Sequence, residues 1–289
     1  MKKFFLLLSL LSFTYISFSQ NDIPVIQDTN QYRFIKTDGG EILGKIISQD
    51  AREILVLMKD NRKIYIPQHT IKEIVLISSS NFNHKGDFVG EDKFSTRYFI
   101  TTNGLPIKKG ENYIQWNLFG PDFQFGIGKN LGVGIMTSWI GMPIIGSIKK
   151  SWELGDKTQF AIGGLIGTGS WASPDFGGML PFGTISHGDR TKNISISAGY
   201  GAISRNGGTS GRTLTSIAGM IKVSQKVSLV FDSFIFLKSK TESGFALLIP
   251  GVRVHQSEGK AIQFGFLGMY VNNELLPVPI PMVQWYRSI

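Results

Sequence analysis

The feature that most constrains this chain is a two-residue alternation that recurs in segment after segment from about residue 96 to the end. Over 193–204, Ile194, Ile196, Ala198 and Tyr200 share one face, and Ser195, Ser197, Gly199 and Gly201 share the other. Over 131–139 the large set is Leu131, Val133, Ile135 and Trp139, against Gly132, Gly134, Met136 and Ser138. Over 144–152, Ile144, Ile148 and Trp152 oppose Ser147, Lys149 and Ser151. Successive side chains of a β-strand point to opposite faces, so each segment reads as a strand with one bulky apolar face and one small or polar face. About twelve such strands are expected, over 112–119, 122–128, 131–139, 144–153, 158–168, 177–186, 193–204, 213–223, 227–237, 244–254, 261–271 and 279–287. Most run to roughly nine to eleven residues, the length of a tilted membrane-spanning strand.

A water-soluble sheet turns its large residues inward and its charges outward. Here the polar face is too small and too rich in glycine to coat a soluble surface; the chain has 34 Gly and only 18% charged residues, against about 25% in soluble domains. Lipid outside and a narrow lumen inside fits the pattern, and strands can face lipid only if the sheet closes on itself. The expected fold is therefore all-β: an antiparallel up-and-down transmembrane β-barrel. Short connections at 129–130, 155–157 and 225–226 alternate with longer ones at 170–176, 205–212, 238–243 and 272–278, as between periplasmic turns and external loops. Trp116, Trp139, Trp152, Trp171, Tyr200, Tyr270, Trp285 and Tyr286 sit near strand ends and are expected to form interfacial girdles.

The N-terminus supports export. Lys2 and Lys3 precede a mostly apolar run over 4–18, and Ser17-Phe18-Ser19 supplies small residues for cleavage before Gln20. Residues 1–19 read as a secretory signal peptide, because the run is shorter than the roughly 20 residues of a spanning helix. There is no Cys, which excludes disulfides, thiolate metal sites, a catalytic thiol and a lipid anchor on cysteine. The formal charge is +9; residues 20–80 hold eight acids and eight bases, so the excess beyond Lys2 and Lys3 lies in 81–289. In an exported protein that excess points to anionic lipid or polysaccharide rather than nucleic acid.

Residues 20–80 follow a different grammar. Strands are expected over 32–37, 41–48, 54–58, 63–67 and 71–77, with turns at Asp38-Gly39-Gly40 and Asp60-Asn61. Ile42, Ile46, Ile54, Val56, Ile64, Ile66, Ile71 and Ile74 are expected to fill a small core. The pattern "KTDGGEILGKIISQD…ILVLMKDNRKIYIPQHTIKEI" resembles the small SH3-like or Sm-like barrels of secreted bacterial proteins, which implies a binding or scaffolding role toward a periplasmic protein or cell-wall partner through 32–77. Residues 81–95 are polar and patternless and read as a linker, leaving 96–289 to the barrel.

The order of signal peptide, small β-domain and glycine-rich barrel resembles a group of poorly characterised outer-membrane β-barrel proteins of Gram-negative bacteria. The segments "FQFGIGKNLGVGI", "ISISAGYGAIS" and "MIKVSQKVSLVFDSF" carry that resemblance. One departure is the ending Trp285-Tyr286-Arg287-Ser288-Ile289; such barrels usually finish on an aromatic residue. The resemblance implies an outer-membrane location.

Site motifs are sparse. Residues 207–213 lack the Lys and following helix of a P-loop, and 163–169 lack the βαβ setting of a dinucleotide fingerprint. His69, His84, His187 and His255 are not at metal-ligand spacing. Ser186 with His187 or His255 could be recruited to a membrane lipid hydrolase, but neighbours in a strand face opposite ways. No catalytic residue, metal or cofactor is therefore assigned, and the chain is read as a non-enzyme. Charges within strands carry more information, since one facing lipid costs roughly 2–4 kcal/mol at the midplane. Lys149, Lys150, Lys222, Asp232 and Arg253 lie in expected strands; Lys149 and Asp232 fall on the small-residue face and are expected to line the lumen, alone or as a salt bridge. The expected function is an outer-membrane barrel of structural or pore type, surrounded by outer-membrane lipid. The alternatives are a soluble, lipocalin-like periplasmic binder of an apolar ligand and an outer-membrane lipid hydrolase.

Overall fold

The computed structural model describes residues 30–78, 81–82, 86–169, 173–238, 244–257, 259–271 and 274–289. The proposed signal peptide, His84, Trp171 and parts of three expected loops lie outside the described residues. Two compact units divide at Ser78 and Ser79.

The first unit is a five-stranded antiparallel sheet. Its strands are β1 (Gln31–Lys36), β2 (Glu41–Gln49), β3 (Glu53–Leu57), β4 (Lys63–Pro67) and β5 (Ile71–Ile77), in the order β4-β3-β2-β1-β5. A 3-10 turn, Gln68–Thr70, lies between β4 and β5. The core is Phe34, Ile54, Val56 and Ile66, flanked by Tyr32, Ile42, Ile46, Ile64 and Ile71. Ile74, expected inside, is exposed. Phe34 holds the centre instead, because β1 lies between β2 and β5 and buries its middle residue.

The second unit is a closed antiparallel barrel of twelve strands. They are β6 (Tyr113–Asn117), β7 (Pro121–Gly128), β8 (Leu131–Thr137), β9 (Ile144–Gly155), β10 (Thr158–Gly169), β11 (Ser173–Gly188), β12 (Lys192–Arg205), β13 (Gly208–Lys222), β14 (Val227–Phe236), β15 (Phe245–Ser257), β16 (Lys260–Val271) and β17 (Glu274–Ser288). Each pairs with its chain neighbour, and β17 closes on β6 from Gln284↔Asn117 to Ser288↔Tyr113. The number of strands is even, so the barrel begins and ends at the same rim.

The alternation resolves as expected. Ile196 is 62% exposed and its neighbour Ser195 only 2%. Ile135, Ile144, Ile148, Trp152, Ile194 and Tyr200 likewise stand on the outer surface, while Ser151 is buried inside. Backbone groups facing an apolar surround must be satisfied within the sheet, and the ladder achieves this with few gaps. Where β13 and β14 part between the pairs Thr215↔Ile235 and Gly219↔Phe231, the Ser233 hydroxyl fills in, donating to the Ile217 carbonyl at 2.6 Å and accepting from its N–H at 2.9 Å.

Three expectations about connections change: residues 173–176, expected in a loop, already belong to β11. Residues 205–212 are not a long loop: β12 and β13 run on to a two-residue turn at Asn206-Gly207, both at positive φ, the conformation an Asn-Gly hairpin turn requires. Residues 274–278 likewise belong to β17.

Candidate functional site

The most consequential departure concerns the lumen, which is not lined by small residues alone. From Val89 to Ile107 the chain lies inside the barrel, with Val89, Asp92, Phe94, Ser95, Thr96, Tyr98, Phe99, Asn103, Leu105 and Ile107 all buried. This segment includes the latter part of the stretch expected to be a linker. Its polar character is that of residues buried against an inward-facing polar wall, not that of a solvated tether.

The segment folds into a hairpin whose apex is Phe99-Ile100. Arg97 and Thr102 bridge antiparallel, and the Tyr98 N–H donates to Thr101 O at 3.1 Å. The Asn103 amide closes the base by donating to Ser95 O at 2.6 Å. A turn of this kind leaves several amides pointing one way. Asp232, projecting inward from β14, accepts the N–H groups of Phe99, Ile100 and Thr101 at 3.0, 2.6 and 2.9 Å. The Thr101 hydroxyl donates to its other oxygen at 2.6 Å. One carboxylate thus satisfies a whole turn.

The inward cations take the carbonyls. Lys149 donates to Thr102 Oγ1, Asn103 O and Leu105 O at 3.1, 2.9 and 3.1 Å. Lys222 donates to Glu91 O at 3.0 Å. Arg253, fully buried, donates to Asp92 Oδ2, Phe94 O and Arg97 O at 2.9, 2.8 and 2.6 Å and to Gln263 Oε1 at 2.7 Å. Lys149 and Asp232 both point into the lumen, and their partners are the returning limb and the apex of one hairpin rather than each other. Of the five charges noted within strands, Lys150 is the exception, reaching back to the carbonyl of Lys129 in the neighbouring turn.

Asp92 and Arg97 bring charge from the plug itself. Arg97 pairs with Asp122 of β7, and Asp92 faces Arg253 and His255. Burial pushes the Asp92 carboxyl up, but the Arg253 guanidinium and the hydrogen-bonded His255 more than offset that and hold it below the usual carboxylate range. Burial pushes the Tyr98 phenol up to about 12; it stays protonated and donates to Asn193 Oδ1 at 2.6 Å.

Apolar packing completes the fit. Tyr98 and Phe99 cluster with Ala218, Met220, Val230, Ile249 and Met282, while Phe94 packs on Tyr113, Ala261 and Tyr286. Tyr286, expected in an outer girdle, is buried here and donates to Tyr98 O at 3.0 Å. Trp139, Trp152, Tyr200, Tyr270 and Trp285 do face outward. Gly251 and Gly265 are needed for close approach: a Cβ at either would lie 2.4 or 2.5 Å from the Phe99 ring.

Among the described residues, the histidines form no relay. Ser186 accepts from the Gly104 N–H at 2.7 Å and bonds Ser195 at 2.6 Å inside the barrel, whereas His187 meets Thr158 at 3.1 Å. His255 lies 3.1 Å from Ser228 Oγ and 3.3 Å from Asp92, but through the same ring nitrogen, Nε2. A hydrolytic triad needs one nitrogen for the nucleophile and the other for the acid. Ser228 is also fully buried. Among the described residues, no group of three acids or histidines could hold a metal.

Beyond the hairpin apex, away from the barrel's own termini, the lumen opens into three neighbouring cavities of about 130, 320 and 470 Å³. Leu165, Leu180, Phe182, Leu214, Phe234 and Ile145 make their walls, and Arg97, Ile100 and Thr101 the floor. The interior is therefore divided: polar and filled on one side, apolar and hollow on the other.

These features define a closed twelve-stranded barrel plugged by the segment that precedes its first strand. No protein-family model matches the sequence, and no curated protein matches it. Among solved structures, the chain is similar to the NanC porin in a rhombohedral crystal form, at 10% identity and a TM-score of 0.42, over 62% of this chain and 98% of that one. It is also similar to the outer-membrane expressed OmpT of Vibrio cholerae, at 11% identity and a TM-score of 0.39, over 90% of this chain and 95% of that one.

Proposed function

We propose that this chain is an outer-membrane β-barrel of structural or binding type whose lumen is shut by its own residues 86–112. The observation that carries the reading is the union of an outward apolar surface with inward charges that are each bonded to the plug. An outward row of Ile, Leu, Trp and Phe suits lipid and would be costly in water, which disfavours the soluble lipocalin-like alternative. A pore selecting anions through lumen lysines is disfavoured too, because Lys149, Lys222 and Arg253 spend their N–H groups on plug oxygens.

The rim carrying the barrel termini also carries the short connections at Lys129-Asn130 and Asp156-Lys157; in this reading it faces the periplasm. The N-terminal sheet is then a periplasmic module, read as SH3-like, for a protein or cell-wall partner.

Two measurements test the reading. The protein refolded in detergent is expected to migrate faster on a gel unheated than boiled. In a planar bilayer it is expected to show no steady conductance, whereas a variant lacking 88–106 conducts. Stable open channels in the intact protein would overturn the plugged reading, and release from membranes by a carbonate wash would overturn the membrane one.

A further inference from the structure

The inner face of the barrel changes character above the plug. Around the hairpin it carries Asp232, Lys149, Arg253, Gln263 and Gln284, all buried. Toward the opposite rim the inward positions pass to Leu165, Leu180, Leu214, Phe234 and Phe236. A water-filled pore would be polar along this stretch. The upper cavity, about 470 Å³, and a lower one, about 130 Å³, share Leu165, Leu180, Leu214 and Phe234 as walls, so one apolar cup runs from the rim to the hairpin. The lower cavity rests on Ile100 at the hairpin apex. The upper one reaches the β12–β13 hairpin, where Ser210 and Gly211 border it and Ile203, paired with Ser210, is half exposed. From Arg212 at the top to Ser216 beside the floor, β13 covers about 13 Å.

Among the described residues, Arg212 is the one charged residue that borders the upper cavity. Its Nε–H donates to Leu237 O at 3.1 Å. Its guanidinium lies 5.6 Å from the centres of both the Phe236 and Phe245 rings, which stack at 4.0 Å. These contacts hold the guanidinium on the apolar wall. Near the floor, Arg97 is paired with Asp122, and Lys149 is taken up by plug oxygens. The cup therefore has a cationic mouth and an apolar body that ends on a closed floor. Attraction between opposite charges strengthens beside low-dielectric walls, and a guanidinium fork matches a carboxylate. A carboxylate also carries a single negative charge, whereas a phosphate monoester carries nearly two.

We propose that this cup binds a single-chain fatty-acid anion, with its carboxylate at Arg212 and its chain running down between Leu165, Leu180, Leu214 and Phe234 to Ile100. The inference rests on the plugged-barrel reading above, since the plug supplies the floor.

The test uses the full-length protein in phosphatidylcholine nanodiscs, with dodecanoate as probe and dodecanol and dodecyl phosphate for comparison, read by native mass spectrometry. The expected result is saturable uptake of one dodecanoate per barrel and weaker uptake of both comparison molecules. Arg212→Gln is expected to weaken dodecanoate about tenfold, the scale of one lost charge-assisted hydrogen bond, and to leave dodecanol unchanged. Leu180→Trp, which puts bulk where the two cavities meet, is expected to abolish uptake, and the outward-facing Ile194→Ala to leave it unchanged. Uptake no greater than in empty nanodiscs, equal uptake by the unaltered protein and Arg212→Gln, uptake unaffected by Leu180→Trp, or either comparison molecule binding as tightly as dodecanoate would each overturn the proposal. A barrel that migrates as folded and shows no conductance yet binds nothing sinks this inference alone; stable open channels in the intact protein sink the plugged reading and this one with it.

Discussion

At the scale of single residues, plugging rests on a few buried charges whose energetics are asymmetric. Removing one member of a buried pair leaves the other uncompensated, which costs about 3–5 kcal/mol. Asp92→Ala is therefore expected to lower the stability of the refolded barrel by an amount of that order, read as a shift in urea or thermal unfolding. The pH dependence follows in sign. The Asp92 carboxyl titrates below its free value in the folded state, so its contribution is full above about pH 4 and fades as pH falls further. Protease protection of the plug is expected to hold from pH 7 to about pH 4 and to weaken below that, with the dependence reduced in Asp92→Asn. Asp232→Ala strips an acceptor from three backbone N–H groups at once, at about 1–3 kcal/mol for each donor left bare. Gly265→Val crowds the Phe99 ring and is expected to cost about 1–3 kcal/mol, the range for overpacking. A Cβ there also meets the Pro250 carbonyl at 2.7 Å, so Phe99→Leu, measured by the same unfolding assay, is expected to relieve only part of the loss.

At the scale of elements, the strands were legible and the plug was not. Strands expected at 131–139, 158–168 and 227–237 fall on β8, β10 and β14 within a few residues, because facing lipid on one side writes a period of two into the sequence. The plug has no period. Its hydrogen bonds reach strands up to 188 positions away, Arg253 to Asp92 among them, and no local rule pairs them. The one available clue was charge inside strands: Lys149 and Asp232 were recognisable as inward, but their partners could not be named. The β12–β13 hairpin was legible in retrospect from Asn206-Gly207. Gly207→Val places a β-branched residue at φ +81° and is expected to slow or misregister that hairpin, seen as slower refolding by gel mobility.

At the scale of the whole barrel, the two faces of one sheet differ. Large apolar side chains stand outside, while the lumen is packed as a small soluble protein is, with its own aromatic clusters and hydrogen-bonded charges. That explains why Met220, Val230, Ile249 and Met282 face inward although the alternation pattern assigns large residues to the outside. They cover Tyr98 and Phe99 rather than a water channel. Deleting 88–106 is accordingly expected to leave a barrel that still migrates as folded, with lower thermal stability and new conductance, because the ladder closes without the plug but the inner core does not form.

What the sequence determined by itself is the barrel: strand positions, the closed antiparallel plan and the apolar outward faces are local consequences of period and turn chemistry. What only the tertiary structure decided is that the barrel is shut and which carbonyls and amides its inner charges serve. The reason is physical. An alternation rule reports which medium a side chain faces, and a plug and a water-filled pore both demand polar groups there; only the closed sheet brings Asp232, Lys149 and Arg253 around one hairpin.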